Sequence, residues 1–267
     1  MKQSNILFAI GAALLMAGCS ADDERTSYGT GRLDFAVTAS ADVANVTSRA
    51  SEIKLPTRIP TENNLKLHLV GTYTDKDGQA GTYDEIWETL AIYKADNPRL
   101  ECGNSSYAAT FTYGDPEVEG EDAAYFEGYV GGINLTADIT TTASVTVSLA
   151  NSCFRVLLDD WMTTYYSNIK LTISTDRQSF QFTEETATDD RVIFVKPGQK
   201  LKFSGSAEVA QTGVPVSFGT TEIGNGSLTT VRTMHTIRVT QSQAGGASIE
   251  VGFDDSFTEI DNGVIEF

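Results

Sequence analysis

Histidine is almost missing from this chain: His68 and His235 are the two among 267 residues. They allow no HxH or HExxH spacing, and a serine or cysteine triad would need one of them as its base. Cysteine is also scarce, three in all, which leaves few ligands for zinc or haem. Positive charge is short as well, with 19 lysines and arginines against 36 aspartates and glutamates, a net charge of -17. So acidic a chain is poorly matched to nucleic acid or an anionic membrane, both of which attract cations. Self-similarity at periods of 20–50 residues is absent, which argues against solenoids and propellers. What remains is ordinary globular composition, 40% hydrophobic and 21% charged, and nothing in it specifies a reaction. No catalytic residue, metal site or cofactor is expected.

The amino terminus carries the strongest signal. Lys2 precedes an apolar run from Ile6 to Ala17, then small residues and Cys19. The run is shorter than the roughly 20 residues of a membrane-spanning helix, and its order is that of a secretory signal. Met16-Ala17-Gly18-Cys19 resembles the lipobox of bacterial lipoproteins, although leucine is commoner than methionine at its first position. That resemblance implies cleavage before Cys19 and a diacylglycerol anchor on its thiol; the alternative is an ordinary signal peptide with a chance cysteine. Asp22-Asp23-Glu24 is either a solvated tether or, by resemblance to surface lipoproteins of Bacteroidetes, a surface-export signal. The expected place is the outer membrane, facing the exterior.

Beyond the tether the pattern is short and alternating. Leu33, Phe35 and Val37 mark one face of a strand over 32–39, and Leu65, Leu67 and Leu69 mark another. Asp75-Lys76-Asp77-Gly78 is hairpin-turn chemistry, because Asp-Gly tolerates positive φ. Asp84–Tyr93 reads as a short amphipathic helix, with Ile86, Leu90 and Tyr93 on one side. Further strands are expected over 107–113, 133–139, 143–149, 154–158, 169–174, 180–182, 192–195, 201–209, 214–218, 234–240 and 249–253, with a stub at 264–267. About fourteen strands and no sustained helical period predict an all-β fold. The expected organisation is a signal peptide over 1–18, a tether over 19–31, and two tandem β-sandwich domains over 32–150 and 151–267.

Two segments together carry a family resemblance. Tyr113-Gly114-Asp115 begins a turn that reaches Gly120 and is followed by Tyr125-Phe126-Glu127-Gly128; a Leu-Ala-Asn junction ends at Asn151. This pairing resembles Bacteroidetes surface lipoproteins carrying domain of unknown function 4493, over roughly residues 29–240. The opening strand from Gly31 and the Thr47-Ser48-Arg49-Ala50 segment also fit. The resemblance implies a fimbrillin-like layout of two β-sandwiches behind a lipid anchor. It further implies a non-catalytic role in adhesion or fimbria-type assembly, with pilus-type subunits or a host or bacterial surface ligand as partners. Arg49 would be the processing site: fimbrillin-type precursors are trimmed after such an arginine, and the lost strand (Leu33, Phe35, Val37) leaves a groove for a strand from another subunit. The alternative is an exposed loop arginine beside an intact strand.

The remaining candidates have plain competing readings. Cys102 and Cys153 sit in an oxidising compartment and either bridge the halves or stay as thiols. Alternation sets Cys153 on the face opposite Phe154 and Val156, so it need not be a core residue. Asp75-Lys-Asp77-Gly78 fails as an EF-hand, because loop positions 5 and 12 hold Gln79 and Ile86. Glu117, Glu119, Glu121 and Asp122 read as a solvated acidic loop. Trp87 and Trp161, with Tyr165 and Tyr166, read as packing residues; were they exposed together, the function would shift to a surface glycan-binding protein for nutrient capture.

Overall fold

The structure is a computed structural model and describes residues 28–45, 55, 58–241, 249–253 and 256–260. Cys19, Asp22, Asp23, Glu24, Arg49 and the 264–267 stub lie outside the described residues. The fold is all-β with two short helices.

The first half contains β1 (Thr30–Ser40), β2 (Ala44–Asn45), β3 (Lys66–Thr74), β4 (Ala80–Trp87), α1 (Leu90–Asp96), β5 (Leu100–Glu101), β6 (Gly103–Tyr113), β7 (Phe126–Ile133) and β8 (Thr140–Leu149). Their sheet order is β4-β3-β6-β7-β8-β1-β5. β7 meets β8 only at Phe126–Leu149 and Glu127–Ser148, so the sheet folds over at that corner into two layers. Gly128 permits the corner: a Cβ there would stand 2.8 Å from Val147 Cγ2 and 2.9 Å from the Thr146 carbonyl. Between the layers lie Leu33, Phe35, Leu67, Leu69, Tyr93, Tyr107, Phe111, Phe126 and Val147, all buried.

β1 pairs in parallel with β8 from Arg32–Thr140 to Ser40–Ser148. The Arg32 N–H donates to the Ile139 carbonyl at 3.0 Å, so in this register even-numbered residues direct their backbone groups at β8. Odd-numbered residues therefore face the other edge, where β5 covers only Thr30 and Gly31.

The second half contains β9 (Ser152–Leu158), α2 (Asp160–Tyr165), β10 (Tyr166–Ser174), β11 (Ser179–Phe182), β12 (Ile193–Val195), β13 (Lys202–Val209), β14 (Pro215–Glu222), β15 (Thr233–Gln241), β16 (Ile249–Phe253) and β17 (Ser256–Ile260). β11-β10-β13-β14 form one sheet and β12-β9-β15-β16-β17 the other. Phe154, Val156, Leu171, Phe182, Phe203, Phe218, Ile237 and Val251 fill the core of this half.

Two expectations need correction. Residues 80–87 are an edge strand paired with β3 throughout, and the helix begins only at Leu90. Tyr83 and Trp87 sit on the inward side of that strand, their rings 6.4 Å apart, and the Thr89 side chain caps the helix by accepting the Ile92 N–H. The strand expected over 133–139 ends at Ile133. Asp138 turns there with φ of 58°, and the Leu135 N–H goes to Ser105 Oγ rather than to a neighbouring strand.

Candidate functional site

The motif residues gather where the two halves meet. Gly114 ends β6 with φ of +85°, and a Cβ there would stand 2.4 Å from the Ala124 carbonyl oxygen, so only glycine fits. The Tyr113 ring packs on Phe126 at 6.0 Å. Asp115 Oδ1 accepts the Glu117 N–H at 2.8 Å, shaping the turn that sends the chain outward. Gly120 then forms a two-way backbone bridge with Phe194 of β12, at 3.0 and 2.9 Å. Asn151, only 2% exposed, joins the halves at one residue. Its amide oxygen accepts the Tyr125 N–H, and its carbonyl accepts the Arg232 N–H at 2.8 Å. Glu127 points to solvent.

The acidic loop is solvated in part: Glu117, Glu121 and Asp122 are exposed, whereas Glu119 is buried. Glu117, Glu119 and Glu121 alternate along the loop, and each reaches the second half. Glu117 pairs with Arg177 and with Lys196 at 2.7 Å. Glu119 is buried; it accepts the Thr175 hydroxyl at 2.7 Å and the Lys196 backbone N–H at 3.2 Å. Glu121 pairs with Arg191 Nε at 2.7 Å, and the same guanidinium lies over the Phe182 ring. Hydrogen bonds from Lys196 and then Arg177 hold the Glu117 carboxyl below the usual carboxylate range. The period-two spacing of the three glutamates was the available signal; their basic partners, 60 to 79 residues away, gave none.

Hydrophobic side chains cross the junction too. Cys153, Val192, Phe194 and Met234 belong to the second half by sequence but pack into the first core. Alternation did not require Cys153 to be a core residue, but it is one: β9 and β12 are buried on both faces here, one towards each core. Cys102 and Cys153 are free, buried thiols. Cys153 donates to the Thr233 carbonyl and Cys102 to the Leu100 carbonyl. Burial pushes the Cys153 thiol up to about 12, and raises that of Cys102 with help from Glu101. β2 adds a last tie, pairing Ala44 and Asn45 with Thr233 and Met234.

β1 is locked at its outer edge. Tyr93 Oη donates to the Leu33 carbonyl at 2.6 Å, and Asp34 Oδ1 folds back onto the Phe35 N–H at 2.8 Å. Phe35 stands among Tyr93 and Phe111 at 5.5 and 5.0 Å between ring centroids. Leu33 and Phe35 are buried and Val37 is half-buried.

The other candidates scatter. His68 lies on the outer face, hydrogen-bonded to Asp84 at 2.8 Å. His235 is buried, stacked on Phe253 at 4.6 Å, with Nε2 taking the Thr230 N–H. Asp75 Oδ1 accepts the N–H groups of Asp77 and Gln79, which closes a hairpin turn. Trp87 is buried and Trp161 stacks on Tyr165 at 5.1 Å, so the two tryptophans form no common platform. Among the described residues no group of three or more His, Cys, Asp and Glu is placed to hold a metal ion, and no helix is long and apolar enough to cross a membrane.

The chain is similar to several solved structures at low identity. A fimbrial assembly protein from Parabacteroides distasonis is 9% identical, with 87% of this chain and 99% of that chain covered and a TM-score of 0.41. The fimbrial anchor protein Mfa2 from Porphyromonas gingivalis is 10% identical, covering 86% and 100%, with a TM-score of 0.34. No curated protein matches the sequence. Residues 29–265, nearly the whole described fold, match one family along their length, and the chain belongs to it: the family described as domain of unknown function (DUF4493).

Proposed function

We propose that this protein is a non-catalytic lipoprotein of the cell surface, held in the outer membrane through a diacylglycerol on Cys19, that serves adhesion or the assembly of fimbria-type structures. Asp22, Asp23 and Glu24 would direct it to the exterior, and its partners would be pilus-type subunits or a surface ligand. The observation that carries this reading is the position of β1. It is the first strand after the tether, it closes the first core with Leu33 and Phe35, and its outer edge is held by side chains rather than by a neighbouring strand. A strand so placed is either the fixed root of an anchored adhesin or, after cleavage at Arg49, a plug whose loss opens a groove for strand addition.

The test is the intact mass and N-terminal peptide of the protein from its native cells. A lipid-modified Cys19 start supports an anchored protein with β1 in place and sinks polymerisation by strand removal. A start at Ala50 means that anchor and strand leave together, which supports a polymerising subunit. A start at any other residue, without lipid, overturns the lipoprotein reading.

A further inference from the structure

β9 and β15 are parallel neighbours in a fold built mostly of antiparallel pairs, and their last shared register position is Leu158–Val239. Beyond it the chains part. β9 turns at Asp159 into α2, while β15 runs on to Gln241. An open cleft of about 350 Å³ remains where they diverge. Leu157 and Leu158, both half-buried, supply its apolar part, and Asp159, Asp160, Arg238 and Thr240 its polar groups; the Val239 side chain is buried in the core beneath. None of these serves the junction or the first strand.

From this geometry we infer that the cleft binds a small neutral saccharide. Asp159 is committed, with Oδ1 capping the Trp161 N–H at 3.1 Å and Oδ2 accepting the Thr240 hydroxyl at 3.0 Å. Asp160 and Arg238 have no ion-pair partner among the described residues, so the cleft offers one carboxylate and one guanidinium to an occupant. A carboxylate accepts from two neighbouring hydroxyls and a guanidinium donates to two, which matches the vicinal hydroxyls of a sugar ring. An anion would meet two carboxylates and a protein of net charge -17, and a cation would meet Arg238. A ligand without net charge, rich in both donors and acceptors, satisfies both groups. The volume lies at the low end for small-molecule sites, which sets the scale at a small sugar rather than a long chain. This inference goes beyond the anchored-adhesin reading and does not depend on β1, so each can fail alone.

The test is an NMR titration of the full chain with glucose, galactose, mannose and N-acetylglucosamine, with glycine and citrate as zwitterionic and anionic probes. Binding of at least one neutral sugar, with shifts at the Val239 and Thr240 amides, is expected. Arg238→Ala and Asp160→Asn should each weaken it about tenfold, the scale of losing a hydrogen bond to a charged group. Tyr129→Ala, which removes an exposed aromatic from the first half, should leave it unchanged. Should Arg238→Ala fail to fold, Asp160→Asn and the amide shifts decide. The inference is overturned if no sugar binds, if only glycine or citrate binds, if both cleft variants bind as the parent does, or if Tyr129→Ala abolishes binding.

Discussion

The hydroxyl of Tyr93 on α1 reaches the carbonyl of Leu33 on β1 at 2.6 Å, across 60 residues of sequence. Parallel pairing with β8 leaves that carbonyl on the outer edge of the first strand, and an unpaired edge invites a foreign strand. The phenol and the Asp34 carboxylate occupy the places where such a strand would bond. Both residues are also tied to the body of the domain: Tyr93 packs against Trp87 at 4.9 Å between ring centroids, and Lys94 lies 3.7 Å from Asp34.

Tyr93→Phe should therefore destabilise the fold without altering its core shape. The ring is buried and its volume barely changes, but the Leu33 carbonyl loses its donor, at a cost of about 1–3 kcal/mol. Urea unfolding should show a lower midpoint with an unchanged slope. Limited proteolysis should cut the variant faster within residues 30–45 than elsewhere. Equal midpoints for the two proteins would mean that water replaces the phenol at this edge.

Gly114→Ala tests the turn that launches the acidic loop. A side chain there meets both a positive φ and the Ala124 carbonyl oxygen at 2.4 Å, so the backbone has to move. Strain of this kind costs about 1–3 kcal/mol, and the displaced loop should also loosen the Gly120–Phe194 bridge. Hydrogen exchange should quicken at the Gly120 and Phe194 amides. Gly78→Ala is the comparison: it has a similar φ of +79° but nothing within 4 Å, so it should cost less and leave the junction amides untouched.

How much of this was legible beforehand depends on the distance over which each cause acts. Strands whose alternation is settled locally, such as Leu33-Phe35-Val37, could be read directly, as could the Asp75 hairpin. The helix expected from Asp84 holds only from Leu90: Leu90 and Tyr93 are the buried face of α1, whereas Ile86 belongs to the edge strand and shares their spacing by coincidence. Full pairing with β3 outweighs that local pattern. Alternation left the place of Cys153 open because it assumes one wet face, whereas β9 is covered on both sides by two cores. The acidic loop was misread for a similar reason: Arg177, Arg191 and Lys196 become its neighbours only once the halves dock.

The two thiols should be inert in the folded protein. Both are buried, and burial holds Cys153 near 12, so almost no thiolate forms at neutral pH. A water-soluble disulfide reagent at pH 8 should label neither cysteine in the native protein and both in denaturant. Mass spectrometry of peptides containing Cys102 and Cys153 measures this. Rapid native labelling of Cys153 would mean that the seam opens, since that side chain is packed in the first core from the second half.

The seam itself should have a particular acid sensitivity. Glu119→Ala removes the acceptor for the Thr175 hydroxyl and the Lys196 N–H at a buried place, so a loss of about 1–3 kcal/mol is expected at neutral pH. Glu117 is exposed, and its effect should be seen in the pH dependence. Its carboxyl is held below the ordinary range of about 4.3, so the folded protein binds this proton less readily than the unfolded chain. The resulting stabilisation is complete above the unfolded value and disappears as pH falls through the lower folded value. Thermal unfolding of the wild type and Glu117→Gln should thus differ by a constant amount from pH 5 to 8 and converge under more acid conditions. Raising salt to about 1 M, where screening acts over about 3 Å, should shrink the difference at neutral pH. Curves that stay parallel down to acid pH would show that the Lys196 and Arg177 pairs do not couple Glu117 to folding, leaving Glu119, Glu121 and Asn151 among the side chains that fasten the two halves.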